Sequence, residues 1–311
     1  MLSWAAYLAV VQFVSWRLGD RVTSTASHLP YALVMFFLFA RLIVFGSPEV
    51  SFWHERALID TLTIALAALA SLIALPKEMA VWYRMGVHVA ILGLLWRELH
   101  WLPYGEHLVV LAWAAYATLL HLGAWRLRHA ETRWIGHALF ALCGGILIGR
   151  FVVGLIVKNP DATAIFNPKG LANLGVIVLA LIAYAVTTRT RYVPLVYGLG
   201  LHFAFLGWTW QELGLIPPSD GNGYVTIAWG VYAIALVVAW LKLNLSRVFL
   251  LCGLGTLVAV AAKLFLVDLH WVSEIWRILL FLGYGGVFLL FSYYLGGVMK
   301  AQDGEQKGMS T

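Results

Sequence analysis

The chain has 311 residues, of which 62% are hydrophobic and 12% charged, about half the charged share of a soluble domain. Its net charge of +6 is not a nucleic-acid signature, because no Lys/Arg-rich run exists and the cations fall in short connections. Stretches such as 57–75, 171–186 and 249–262 are apolar on every face, which excludes a soluble amphipathic bundle and points to lipid as the surrounding medium.

The apolar runs lack the period-two alternation of barrel strands, so they read as membrane-spanning helices. Punctuation by Pro, Gly and charge places eleven of them at 1–19, 29–46, 57–75, 80–102, 107–126, 133–156, 170–188, 192–215, 223–242, 246–268 and 273–298. The expected fold is all-α, a polytopic transmembrane helical bundle. Met1–Gly19 lacks a cationic start and a small-residue cleavage site, so it is not read as a signal peptide. Cys143 and Cys252 lie inside apolar segments and read as small hydrophobic residues, without disulfide or metal spacing. The polar tail 300–311 is expected to be disordered.

Loop charge sets the expected orientation. Odd-numbered loops plus the tail hold 13 of the 21 Lys and Arg residues, even-numbered loops hold 5, and Arg41, Arg150 and Lys263 fall within helices. The positive-inside rule then puts the C-terminus in the cytoplasm and, with an odd span count, the N-terminus outside, in a bacterial inner membrane.

Self-comparison reveals a repeat. His88-V-A-I-L-G-L-L-Trp96-R-Glu98-Leu99 aligns without gaps on His202-F-A-F-L-G-W-T-Trp210-Q-Glu212-Leu213, with seven of twelve positions identical at an offset of 114. Trp113 and Tyr116 then match Trp229 and Tyr232, and the late-helix cation Arg150 matches Lys263. Trp4, Tyr7, Trp16 and Arg17 echo Trp113, Tyr116, Trp125 and Arg126, and Arg41 corresponds to Arg150. Three, four and four helices make up the expected tandem parallel repeats: an incomplete first copy over 1–79, expected to have lost an upstream segment or to have been trimmed, a second over 80–190 and a third over 191–299. An even number of spans per copy keeps successive copies in the same orientation.

Ionisable residues within spans are functional suspects. His88 lies ~12 Å into its helix, Glu98 is ~15 Å further on, and Arg150 falls at the depth of Glu98. Two readings stay open for Glu98 with Arg150 and for Glu212 with Lys263: charge pairs that pin helices near the outer rim, or the lining of an outward-facing cavity for a polar ligand. Interhelical hydrogen bonds are the plainer role for His88 and His202, and the tryptophans, Trp96 and Trp210 included, suit interfacial anchoring or packing. Gly145-I-L-I-Gly149 suits close helix contact. No metal site and no cofactor is expected.

Near the C-terminus, Lys263-L-Phe265-L-V-Asp268-Leu269, Trp276-Arg277-Ile278-L-L-Phe281-Leu282-Gly283 and L-L-F-Ser292-Tyr293 resemble the end of a bacterial family of polytopic membrane proteins catalogued as domain of unknown function twenty-three thirty-nine. Phe166-Asn167-Pro168 resembles that family's repeated Asn-Pro turn. The resemblance is specific over 246–298 and implies a membrane architecture without an assigned activity, and family members usually carry an additional N-terminal region.

The leading expectation is an inner-membrane protein that binds or moves a polar solute or envelope precursor. Its candidate residues are Arg41, His88, Trp96, Glu98, Arg150, His202, Trp210, Glu212, Lys263, Asp268 and Arg277. The first alternative is a periplasm-facing enzyme that modifies a glycan or lipid, with Glu98, Glu212, Asp268 and Glu274 as acid/base groups. The second is a non-catalytic scaffold. Expected partners are the lipid bilayer and either other envelope proteins or the upstream region of a longer homologue, with no nucleic acid.

Overall fold

A computed structural model describes residues 2–44, 55–73, 77–127, 130–156, 167–187, 193–214, 222–243 and 247–266, with scattered positions between 275 and 293. The described residues form eleven α-helices: α1 (Leu2–Leu18), α2 (Arg21–Ala26), α3 (His28–Val44), α4 (Glu55–Ile73), α5 (Lys77–His100), α6 (Gly105–Leu127), α7 (Ala130–Ile156), α8 (Pro168–Thr187), α9 (Val193–Leu213), α10 (Asn222–Leu243) and α11 (Arg247–Leu266). Ten of the eleven expected spans coincide with a helix to within a few residues. The eleventh, 273–298, lies largely outside the described residues. The short α2 was not anticipated.

Local chemistry sets the helix ends. Gly19 adopts φ +66° after α1, and the Asp20 amide reaches back to the Ser15 carbonyl at 3.0 Å, a Schellman closure that needs a residue tolerant of left-handed backbone. Asp20 then caps α2, accepting from the Val22 amide at 2.9 Å and from the Thr23 hydroxyl. Those bonds hold its exposed carboxyl below the ordinary carboxylate pKa. The Asn-Pro pair is likewise a helix start. The Asn167 side chain accepts from the Gly170 amide at 2.7 Å, and Pro168 occupies the first helical position, where its missing N–H costs nothing.

Six of the described helices have the length and hydropathy needed to cross a membrane: the stretches Glu55–Ile73, Gly105–Arg126, Thr132–Gly154, Pro168–Val186, Gly223–Lys242 and Arg247–Leu264. Burial runs opposite to a soluble protein. Phe36, Phe37 and Leu72 are well exposed, whereas Gln12, Asp60 and Thr63 are buried. Apolar side chains facing out and polar ones facing in make sense only if the outer medium is lipid.

The chain divides into two compact units, 1–158 with 166–197, and 159–165 with 198–311. In the first, α4 packs on α1 and α5, α3 packs on α5, and α6 packs on α5, α7 and α8. One apolar core gathers Leu8, Leu38, Leu42, Ile64, Tyr83 and Ala90, and another gathers Val110, Ala114, Phe140, Cys143 and Val176. In the second, α10 and α11 pack closely, with Gly253 against Val237. Among the described residues the expected Gly145–Gly149 contact is not formed: a Cβ on either glycine would meet no atom within 4 Å. Close approach occurs instead at Gly136, against His121, and at Gly175, against Leu111.

Candidate functional site

The densest charge cluster lies where α3 ends, α4 begins and α5 ends. Arg41 is in the last turn of α3, Arg97 in the last turn of α5, and Asp60 lies five residues into α4. The Asp60 side chain is 0% exposed. Arg97 Nη1 donates to Asp60 Oδ2, while Nε and Nη2 of the same guanidinium reach Glu98 Oε1, the former at 2.7 Å. Arg41 Nη1 stands 3.6 Å from Asp60 Oδ1, and its side chain is 30% exposed. Two carboxylates and two guanidiniums thus neutralise one another formally, which is what makes such a group tolerable among apolar helices.

The expected Glu98–Arg150 pair is replaced. Arg97 takes the Glu98 carboxylate, and Arg150 builds a second cluster with α6 and α8. Its Nη1 donates to His107 Nδ1 at 3.1 Å and to Asn173 Oδ1 at 3.4 Å, and its Nη2 donates to the Glu106 carbonyl at 2.8 Å. Helix depth can be read from sequence, but which neighbour lies beside a given face cannot. The α5–α6 connection joins the two clusters. There Tyr104 adopts φ +62°, and a Cβ on Gly105 would lie 2.2 Å from the His100 carbonyl oxygen, so only glycine fits this turn.

Several residues matched by the sequence comparison make similar contacts. His88 Nδ1 is hydrogen-bonded to the Tyr116 hydroxyl at 2.5 Å, and His202 Nδ1 to that of Tyr232 at 3.2 Å. The indole of Trp113 donates to the Leu92 carbonyl at 3.2 Å, and that of Trp229 to the Leu206 carbonyl at 3.3 Å. Trp96 lies 6.2 Å from Trp113, and Trp210 lies 5.7 Å from Trp229, ring to ring. Thr256 gives its hydroxyl proton to the Cys252 carbonyl, so at 3.3 Å it accepts from His202 Nε2 and leaves Nδ1 as the acceptor for Tyr232. Lys263 is buried, donates to Thr226 Oγ1 at 2.6 Å and stands 5.8 Å above the Trp210 ring. Glu212 is buried near the end of α9. Asp268, Glu274 and Arg277 lie outside the described residues.

Two further polar knots were not anticipated. Gln12, Ser27, His28 and Tyr83 are joined by hydrogen bonds of 2.6–3.2 Å, with Tyr31 stacked on Tyr83 at 3.6 Å. His121, His137 and Tyr197 converge elsewhere in the first unit. Asp60 and Arg97 were missed as well. A lone acid inside the apolar run 57–75 is the available signal for Asp60, and Arg97 lies in the last turn of α5, beside Glu98.

No curated protein and no solved structure gives a significant match to the chain. The family described as "Predicted membrane protein (DUF2339)" matches residues 1–295. The likeness noted near the C-terminus therefore extends over nearly the whole sequence. Apolar helices facing outward, polar groups paired within, and this match together establish a membrane protein that belongs to the DUF2339 family.

Proposed function

We propose that the protein binds, within the membrane, a polar solute or envelope precursor bearing an anionic group, and that Arg41 anchors it. An inequality between two arginines supports this reading. Arg97 commits its donors to two carboxylates, whereas Arg41 meets Asp60 only at 3.6 Å, beyond hydrogen-bond reach, with part of its side chain open. A guanidinium is a planar fork suited to carboxylate or phosphate. With no hydrogen bond to it among the described residues, the Arg41 guanidinium near a helix end gains most from an incoming anion. The loop-charge asymmetry supports reading this rim as the outer side of a bacterial inner membrane. The recurring His–Tyr, Trp–carbonyl and Trp–Trp contacts support parallel repeats as the source of the architecture.

One observation favours a purely architectural second reading: Arg97 bridges Asp60 Oδ2 and Glu98 Oε1 within the chain. The enzymatic alternative fares less well, because Glu98 is engaged by Arg97 and is poorly placed to exchange protons with a substrate.

The test compares two amphiphiles of opposite charge, dodecyl phosphate and dodecyltrimethylammonium, by tryptophan fluorescence of the detergent-solubilised protein. The anchoring role predicts a saturable response to the phosphate alone. Equal, non-saturating responses to both would mean simple partitioning and would overturn the binding reading.

A further inference from the structure

In the first unit, α6 contributes His121, α7 contributes His137 and the start of α9 contributes Tyr197. His121 Nε2 lies 3.0 Å from His137 Nδ1, His137 Nδ1 lies 3.0 Å from Tyr197 Oη, and Tyr197 Oη lies 3.3 Å from His121 Nε2. Three donor atoms of two imidazoles and a phenol thus form a nearly equilateral triangle. The other nitrogen of His121, Nδ1, stands 2.8 Å from the Ala117 carbonyl, which can only accept, so Nδ1 carries the proton and Nε2 presents its lone pair to the triangle.

Nε2 of His121 only accepts, and His137 Nδ1 has a single in-plane direction in which to donate or accept. One hydrogen-bonded order fits all three groups, His137 Nδ1 donating to Tyr197 Oη and Tyr197 Oη donating to His121 Nε2, and it leaves the two ring nitrogens 3.0 Å apart without a bond of their own. A cation above the triangle engages all three atoms at once. With metal–ligand bonds of ~2.0–2.1 Å the observed edges correspond to angles of roughly 94–107°, close to tetrahedral and leaving a further position open.

We propose that His121 Nε2, His137 Nδ1 and Tyr197 Oη hold a first-row divalent transition-metal ion such as zinc or copper. Imidazole suits these ions, and the His121–Ala117 bond is the backbone-carbonyl contact that fixes the tautomer of a metal-bound histidine. Among the described residues no three His, Cys, Asp or Glu side chains converge on one point; here the third donor is a phenol. Gly136 makes room for the arrangement, since a Cβ there would lie 2.4 Å from His121 Cε1. His121 is 2% exposed, while His137 and Tyr197 are half-buried. The proposal is independent of the anion site at Arg41, which involves other helices.

The experiment uses full-length protein purified without a histidine tag and titrated with Co(II), whose visible d–d bands report coordination. The expected result is one equivalent bound with an intense tetrahedral-type spectrum, displaced by Zn(II). His137→Ala should weaken binding by more than about a hundredfold, the upper range for losing an outer-shell partner alone. Tyr197→Phe should keep the monodisperse elution profile of the parent and shift the bands, and it carries the test if His137→Ala does not fold. An octahedral-type spectrum, absence of binding, or equal binding by Tyr197→Phe and the parent would overturn the site.

Discussion

Arg97 and Asp60 form an ion pair that joins α5 to α4, with the Asp60 carboxylate entirely screened from the surroundings. Arg97→Met strands both Asp60 and Glu98, and a stranded buried charge costs ~3–5 kcal/mol, whereas Asp60→Asn leaves Arg97 bound to Glu98 and costs less. Arg97→Met alone should therefore destabilise strongly and Asp60→Asn more mildly, and the double variant, which still strands Glu98, should lose less than the sum of the two. Contacting residues couple by ~0.5–3 kcal/mol. Thermal unfolding in detergent for both singles and the double measures this coupling, and additive losses would contradict the pair.

The repeated contacts predict matched responses. Tyr116→Phe removes the partner of His88 and Tyr232→Phe removes that of His202. Each should cost ~0.5–1.5 kcal/mol, the net worth of one hydrogen bond, more if the histidine is left unsatisfied. The same measurement on both variants checks the equivalence. An experimental structure should superpose α5–α7 on α9–α11 with His88 over His202, and a different helix order in the two sets would end the repeat hypothesis.

Two glycines on α7 should respond with opposite sign. Glycine to alanine inside a helix normally stabilises by ~0.5–1 kcal/mol. Gly145 faces open space, so Gly145→Ala should show that gain, or none if a lipid or partner occupies the groove. Gly136→Ala drives a methyl group into the His121 ring and should destabilise by ~1–3 kcal/mol. Melting temperatures of the two variants decide the matter, and a gain at Gly136 would show that His121 is free to move.

Orientation is tested by labelling. In a background with Cys143 and Cys252 replaced by alanine, single cysteines at Asp161 and Asp220 should react with a membrane-impermeant maleimide from outside intact cells, while one at Arg189 should not. The opposite pattern would reverse the assignment drawn from loop charge.

The helices were legible because lipid imposes one simple demand, an apolar run of sufficient length with its backbone satisfied internally. Ten expected spans coincide with helices on that basis. The sites were less legible. Position along a helix follows from rise per residue, but lateral neighbours depend on packing, and Glu98 bonds Arg97 while Arg150 turns to His107 and Asn173. Asp60 was passed over inside an apolar run although a lone carboxylate there needs a partner. His121, His137 and Tyr197 share no spacing that would announce them, since the fold of three helices brings them together. His88 and His202 were legible as interhelical hydrogen-bonding residues, because a buried imidazole in an apolar helix must find a partner.

The anion-binding account rests on the difference between Arg41 and Arg97, and one paired experiment tests it. Arg41→Gln and Arg97→Gln are each assayed for melting temperature and for saturable binding of dodecyl phosphate. Arg41 is part-exposed and makes only a long contact, so the account predicts that Arg41→Gln changes stability by no more than about 1 kcal/mol yet loses the phosphate response. Arg97→Gln should lose stability by several kcal/mol, because it strands Asp60. If Arg41→Gln binds dodecyl phosphate as the parent does, the cluster is an architectural clamp and the anion site proposed at Arg41 is contradicted.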